Sequence, residues 1–182
     1  MPIRRLITVL TALVLFSSAV FAEEVDQAVR DATLVKLHET APDFACRMMD
    51  GREFKLSAMR GKVVVLYFFA SSVPFSFTEM RYLETEVLQK LGRRDDLAIL
   101  CIARGHTREE VVTMAGEKKL ALPMAADPQQ ECYQRYFSKF VPRTVVVRRD
   151  GTVVHLASGY REHDGIVELR EVLRRELAAK RP

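Results

Sequence analysis

Sulfur heads the short roster of side chains through which this chain could do chemistry. The 182 residues include three cysteines, Cys46, Cys101 and Cys132. No two of them form a Cys-x-x-Cys pair, and no Cys/His group has metal-chelating spacing. Cys101 and His106 are five apart with Gly105 between them, which chance explains better than a metal site does. No metal and no cofactor is therefore expected. In an oxidising compartment three thiols allow at most one intramolecular pair and leave one over. Ser76 is the other nucleophile of interest. An alcohol is hardly ionised near neutral pH, and no neighbouring His supplies the base that an acyl-transfer serine needs. Ser76 is instead expected to start a helix and bond backbone amides there.

These residues are positioned by a regular succession of elements. Residues 23–40 are acidic and then mixed, and are expected to form a linker or short helix ahead of a domain at 41–182. Asp50-Gly51 sits between short apolar stretches at 44–47 and 53–56, a hairpin signal because Gly takes the positive φ such turns need. Val63 to Phe69 is uninterrupted β-branched, aliphatic and aromatic sequence, the pattern of a central strand buried on both faces. From Phe75 to Leu91 the apolar residues recur at helical spacing. A second buried strand is expected over 97–103. Thr107 and Glu110 are spaced as a capping box for a helix running to about Lys118. Asp127-Pro128 is read as the start of a further helix carrying Cys132. Asp150-Gly151 joins a second hairpin, 145–149 with 153–157, and a last amphipathic helix covers roughly 163–179.

Two parallel strands with a crossover helix, then an antiparallel hairpin and a closing helix, predict an α/β domain with a mixed sheet covered on both faces. Ahead of it, Arg4 and Arg5 precede the apolar run Leu6 to Phe16, and Val20-Phe21-Ala22 has the small residues of a peptidase site. Residues 1–22 are thus expected to be a cleaved signal peptide, which makes the protein exported, periplasmic or extracytoplasmic. A membrane association is expected only if that segment stays uncleaved, since the run is short of the roughly 20 apolar residues a span needs. The full chain carries 28 basic and 24 acidic residues; without Arg4 and Arg5 the balance is 26 to 24. So small an excess argues against a nucleic-acid partner, which requires a strongly basic face.

Four segments taken in order resemble the thioredoxin-like redoxins, in particular the TlpA/ResA thiol-disulfide reductases and the AhpC/TSA group. They are APDF at 41–44, DGREFKLSAMRGKVVVLYFFAS at 50–71, DP at 127–128 and VPRTVVVRRDGTVV at 141–154. The resemblance implies a thioredoxin-like α/β fold, a mixed central sheet with helices on both faces and an extra N-terminal hairpin. In such families the central strand leads into approximately Phe-Trp-Ala-Ser-Trp-Cys-Pro-Pro-Cys-Arg-x-Glu-Met. Phe68, Ala70, Ser71, Pro74, Glu79 and Met80 match that pattern, and Val73 and Ser76 then stand at the two cysteine positions. A peroxiredoxin-like alignment of Ser76-Phe77-Thr78-Glu79 to Cys-Pro-Thr-Glu also loses the thiol. Val141-Pro142 matches the family's cis-proline, whose neighbouring backbone groups hold an extended substrate.

The resemblance therefore implies a degenerate redox site and leaves enzymatic activity open. The reading taken is a non-catalytic module that binds an extended segment of an exported protein in a groove formed by Val73, Pro74, Phe75, Ser76, Val141 and Pro142. The alternative is a thiol-disulfide oxidoreductase or peroxiredoxin-like antioxidant that uses relocated thiols, Cys101 and Cys132. Strand ends and helix starts gather on one side of such a fold, which is what could bring those two together. Against that, Cys101 in a buried strand reads more readily as a small core hydrophobe and Cys132 as an isolated helix residue; Cys46, in the first hairpin, has a smaller claim. A copper-chaperone role is more distant, because its cysteine ligands are absent at the matching site. Arg104, Gly105 and His106 are expected either to line the groove or to form a polar turn. Arg143 is expected at the surface, placed to meet an acidic group.

Overall fold

The computed structural model describes residues 23–159 and 162–179; the expected signal peptide, residues 1–22, lies outside the described residues. Helix α1 covers residues 23–31. A two-stranded antiparallel hairpin follows, β1 (Ala45–Arg47) with β2 (Glu53–Lys55), and a 3-10 turn, Leu56–Met59. The hairpin turns at Gly51, whose φ of 88° suits a residue without a Cβ.

The main sheet has five strands: β3 (Val63–Phe69), β4 (Leu97–Arg104), β5 (Met124–Asp127), β6 (Arg143–Val147) and β7 (Val153–Ser158). Their spatial order is β5-β4-β3-β6-β7. β3, β4 and β5 run parallel, while β6 and β7 are antiparallel additions. All seven residues of β3 are buried, as a strand between two parallel or mixed neighbours and two covered faces requires. Short β5 escapes the sequence reading. Its four residues, Met-Ala-Ala-Asp, carry no β-branched side chain, and the strand exists through its register with β4, Cys101 opposite Met124 to Arg104 opposite Asp127.

Helix α2 begins at Pro74–Tyr82, loosens into a π-helical stretch at Leu83–Leu88 and ends at Gln89–Leu91. Helix α3 is Arg108–Glu117, opened by the expected reciprocal capping of Thr107 and Glu110. Helix α4 is one short turn, Glu131–Gln134, and α5 spans Glu162–Ala178. Asp127-Pro128 does not start α4: Asp127 ends β5, and its carboxylate reaches forward to accept the amides of Cys132 (3.1 Å) and Tyr133 (2.9 Å). Gln130, at φ 62°, turns the chain between them. Capping thus occurs, but from a longer lead than the sequence suggested.

Period-two alternation along β3 divides the interior in two. Val63, Val65, Tyr67 and Phe69 face a core completed by Met80, Leu83 and Val87 of α2, Val111 and Met114 of α3, and Leu169 and Leu173 of α5. Val64, Leu66 and Phe68 face an aromatic layer of Phe44, Phe54, Tyr133, Tyr136 and Phe137. Phe68 sits edge-on to Phe137 and Tyr133, with centroids 5.6 and 6.1 Å away. The first face is roofed by long helices, the second by the hairpin, the 3-10 turn and α4. Residues 32–40, expected as linker, are docked: Ala32 and Val35 are buried, and Thr33 and Thr40 bridge to Phe137 and Thr152.

At the other end of the sheet a buried ion pair ties three elements together. Arg149 Nη2 lies 2.8 Å from Asp96 Oδ2, both side chains 4 % exposed. Arg149 also donates to the carbonyls of Glu176 and Leu177 at the end of α5. Arg94 grips Asp96 from outside through two bonds of 2.8 and 2.9 Å. Together these guanidinium groups hold the Asp96 carboxyl well below the usual carboxylate range, Arg94 by hydrogen bonding most of all. Asp96→Asn leaves a buried cation without its counter-charge, so urea unfolding at neutral pH should show a loss of about 3 kcal/mol.

Candidate functional site

Register brings four chain segments to one end of the sheet. Phe69 pairs with Ala103 and Arg104 with Asp127, while Phe68 pairs with Arg143. The β3–α2 connection, the β4 exit at Gly105 and His106, the β5 exit, and Val141-Pro142 ahead of β6 therefore share that end. Parallel strands present their carboxyl ends and following helix starts together, which is where open α/β sheets bind ligands. The Val141–Pro142 peptide bond is cis. The Pro142 carbonyl accepts from Gly159 at 3.0 Å, whereas the Val141 amide and carbonyl make no hydrogen bond among the described residues.

Val73 is the N-cap of α2 in extended conformation, Pro74 is N1 and Phe75, 59 % exposed, is N2. Pro at N1 forfeits only an amide that a helix leaves unpaired anyway. Ser76, at N3, departs from expectation. Its hydroxyl caps nothing: Ser76 is fully buried and Oγ has no hydrogen-bond partner among the described residues. Its amide instead donates to Val73 O at 3.0 Å, and its carbonyl accepts from the Tyr67 hydroxyl at 3.0 Å. One turn further on, Glu79 Oε2 lies 3.3 Å from the same hydroxyl. Burial raises the Glu79 carboxyl to about 7, with the Tyr67 hydrogen bond opposing. Burial also drives the Tyr67 phenol well above its ordinary value.

Next to this, the β4 exit folds over the motif segment. His106 Nε2 accepts the Ser71 amide at 3.2 Å, and its Nδ1 lies 3.7 Å from Glu110. His106 and Ser71 line a surface cleft of about 470 Å³ with Phe77, Glu109, Glu117 and Lys118. That cleft includes none of Val73, Pro74, Phe75, Ser76, Val141 and Pro142, the residues beside which His106 was expected to lie. Arg104 turns away, donating to Gln130 Oε1 and stacking 4.4 Å above the Tyr133 ring.

Arg143 is not at the surface and meets no carboxylate among the described residues. It is 2 % exposed, its guanidinium 4.6 Å over the Phe137 ring, with neutral acceptors at Thr33 Oγ1, Val29 O and Lys139 O. Burial lowers its pKa. The π-face and three neutral acceptors replace the expected acidic partner.

The cysteines are distributed by the sheet. Cys101 is fully buried on the helix-covered face, and burial, then Glu84 and Glu79, push its thiol upward. Cys132 packs in the aromatic layer on the opposite face. The structure therefore does not bring Cys101 and Cys132 together, because β4 itself lies between them. It does bring Cys132 to Cys46, a proximity that sequence reasoning missed although the inward position of residue 46 follows from strand alternation.

The Redoxin family profile matches residues 36–173. The chain belongs to the Redoxin family. Its relatives include the thiol-disulfide oxidoreductase ResA of Geobacillus thermodenitrificans, 28% identical over 129 residues, covering 71% of this chain and 73% of that protein. A putative protein disulfide isomerase from Bacteroides thetaiotaomicron superposes with a TM-score of 0.77 at 29% identity, over 81% of this chain and 94% of that one. A putative thiol:disulfide interchange protein DsbE from Chlorobium tepidum shares the fold, with a TM-score of 0.69 at 21% identity over 77% and 97% of the two chains. In this Redoxin chain the segment between Arg47 and Leu100 contains no cysteine.

Two measurements test the site's energetics. Ser76→Ala removes a buried hydroxyl that bonds nothing among the described residues, so the variant should be more stable in urea by about 1 kcal/mol; a loss would reveal a partner for Oγ. Glu79, raised in the folded state, binds its proton more tightly there than in the unfolded chain. Its penalty on stability therefore grows as pH rises from about 4.5 to about 7 and is complete above that. Glu79→Gln should accordingly gain on the parent protein over that window, by up to about 3 kcal/mol near pH 8, and match it near pH 4.

Proposed function

We propose that this Redoxin chain is a non-catalytic binding module, exported through its N-terminal segment, that holds an extended stretch of another exported protein beside Val73–Ser76 and Val141-Pro142. In this reading Val73 and Ser76 occupy the positions of the family's redox cysteines. The observation that carries it is the juxtaposition of a thiol-free α2 start with an exposed Phe75 and the hydrogen-bonding groups of Val141, which have no partner among the described residues. Adding a strand needs such donor and acceptor groups at an edge, and a neighbouring apolar side chain supplies selectivity. A reductase would need a helix-start thiolate and a resolving thiol; Val73 offers no nucleophile, and the Ser76 hydroxyl is sealed in the core. Export is supported by Arg4 and Arg5 ahead of the Leu6 to Phe16 run and by the small residue Ala22.

Reduced and alkylated insulin B chain, an extended polypeptide without thiols, serves as the probe. Titrated into isotope-labelled protein, it should shift the amide resonances of Val73, Phe75, Ser76 and Val141, and Phe75→Asp should weaken binding at least tenfold. In a dithiothreitol-coupled assay the unlabelled protein should reduce insulin disulfides no faster than dithiothreitol alone. Turnover above that background, or shifts confined to other faces, would overturn the reading.

A further inference from the structure

Strand β1 exposes Ala45 and Arg47 and turns Cys46 inward, opposite Phe54. Cys132 is in the first turn of α4, its backbone pinned because its amide donates to Asp127. Its Sγ lies 3.9 Å from the carbonyl oxygen of Ala45, the peptide bond that leads into Cys46. Cys46 packs against the same aromatic cluster that holds Cys132, and both are free thiols. Hairpin and α4 are held at this separation by independent anchors: Met49 donates to Met124 O at 2.8 Å, and the Tyr136 hydroxyl donates to Pro42 O at 2.6 Å.

We propose that Cys46 and Cys132 are a reversible thiol-disulfide centre on the aromatic face of the sheet, oxidised by a small-molecule disulfide and crosslinking β1 to α4. The centre stands apart from the groove and does not rest on the groove's assignment. Cys46, only partly buried, is the sulfur a reagent reaches. Its thiolate attacks the disulfide RSSR, forming Cys46–S–SR and releasing one RS⁻, which takes up the proton Cys46 gave up. Cys132 then loses its proton and attacks the Cys46 sulfur, forming the intramolecular bond and expelling the second RS⁻, which becomes RSH. Two electrons pass from the pair to the reagent, and RSSR leaves as two RSH. The order of attack follows from the environment: Cys46 is only partly buried, whereas Cys132 is 4 % exposed and its thiol is held protonated, by the neighbouring Cys46 first and then by burial. Cys101 takes no part, being enclosed on the far face.

The purified protein, reduced and then incubated with oxidised glutathione, should fall from three alkylatable thiols to one, with Cys101 the one remaining. Peptide mapping should find residues 46 and 132 in a single crosslinked species, and dithiothreitol should restore all three thiols. Cys132→Ser should arrest the reaction at one glutathione on Cys46, whereas Cys46→Ser should leave Cys132 unmodified. Because the decisive reading comes from the unmutated chain, misfolding of a variant does not obscure it. Persistence of three free thiols, a glutathione on Cys46 that Cys132 never displaces, or a crosslink to Cys101 would each overturn the proposal.

Discussion

Strand β3 buries all seven of its residues, and its two-residue period governs the placement of everything else. Because both neighbours are in register with it, each side chain of β4 and β6 is assigned a face along with its β3 partner. Tyr67 pairs with Cys101 and Thr144, so all three belong to the side under α2; Phe68 pairs with Ile102 and Arg143 and belongs to the aromatic side. A side chain cannot change face without moving the strand by one residue, which would expose an entire hydrophobic row. Thiol chemistry is confined by the same rule. Cys101 can approach only what α2 and α3 present, and these offer it no second thiol. Cys46 and Cys132 meet because hairpin and α4 both close over the aromatic side.

Tyr67 transmits this constraint to the start of α2. Its hydroxyl, fixed by the strand, accepts no choice of partners: the Ser76 carbonyl and the Glu79 carboxylate are what the first turns of α2 place above it. That contact draws Ser76 inward and seals its hydroxyl, and it draws Glu79 far enough from water for its carboxyl to rise to about 7. Both groups cost stability where they sit. A helix start optimised only for folding would have a hydroxyl at Val73, as N-cap, and an apolar residue at Ser76. Both lie at the end of the sheet where His106 folds over Ser71 and where the Val141 backbone groups have no partner among the described residues, whereas the opposite end holds the Asp96–Arg149 ion pair.

Features encoded within a few residues were legible from sequence. The Val63–Phe69 run, the turns at Gly51 and Gly151, and the Thr107–Glu110 capping box each depend on local pattern, and each stands where the pattern puts it. The misses depend on partners distant in the chain. β5 has no strand-forming composition and is ordered by pairing with β4. The α4 turn is capped by an aspartate four residues ahead of Glu131, so the Asp-Pro signal misplaces its start. Ser76 carries a capping residue's chemistry, yet Pro74 sets the helix start two positions earlier and leaves the hydroxyl facing the core. Of the site, the motif segment and Val141-Pro142 were legible; the approach of Cys132 to β1, its Sγ 3.9 Å from the Ala45 carbonyl oxygen, was not.

Arg143 shows why the segment before the domain belongs to the site. A guanidinium immediately after Pro142, buried without a carboxylate, needs acceptors and a polarisable face. Phe137 supplies the face, and two of the three acceptors, Val29 O and Thr33 Oγ1, come from residues that read in sequence as leader to the domain. Val29 lies near the end of α1, where unpaired carbonyls and the helix dipole favour a cation. Arg143 thereby couples the position of α1 to the backbone at Val141-Pro142. Removing residues 23–40 would leave the β6 start with a buried charge that has lost most of its partners. The mechanical boundary of this Redoxin domain therefore lies upstream of Ala41, and the placement of the backbone at Val141-Pro142 depends on it.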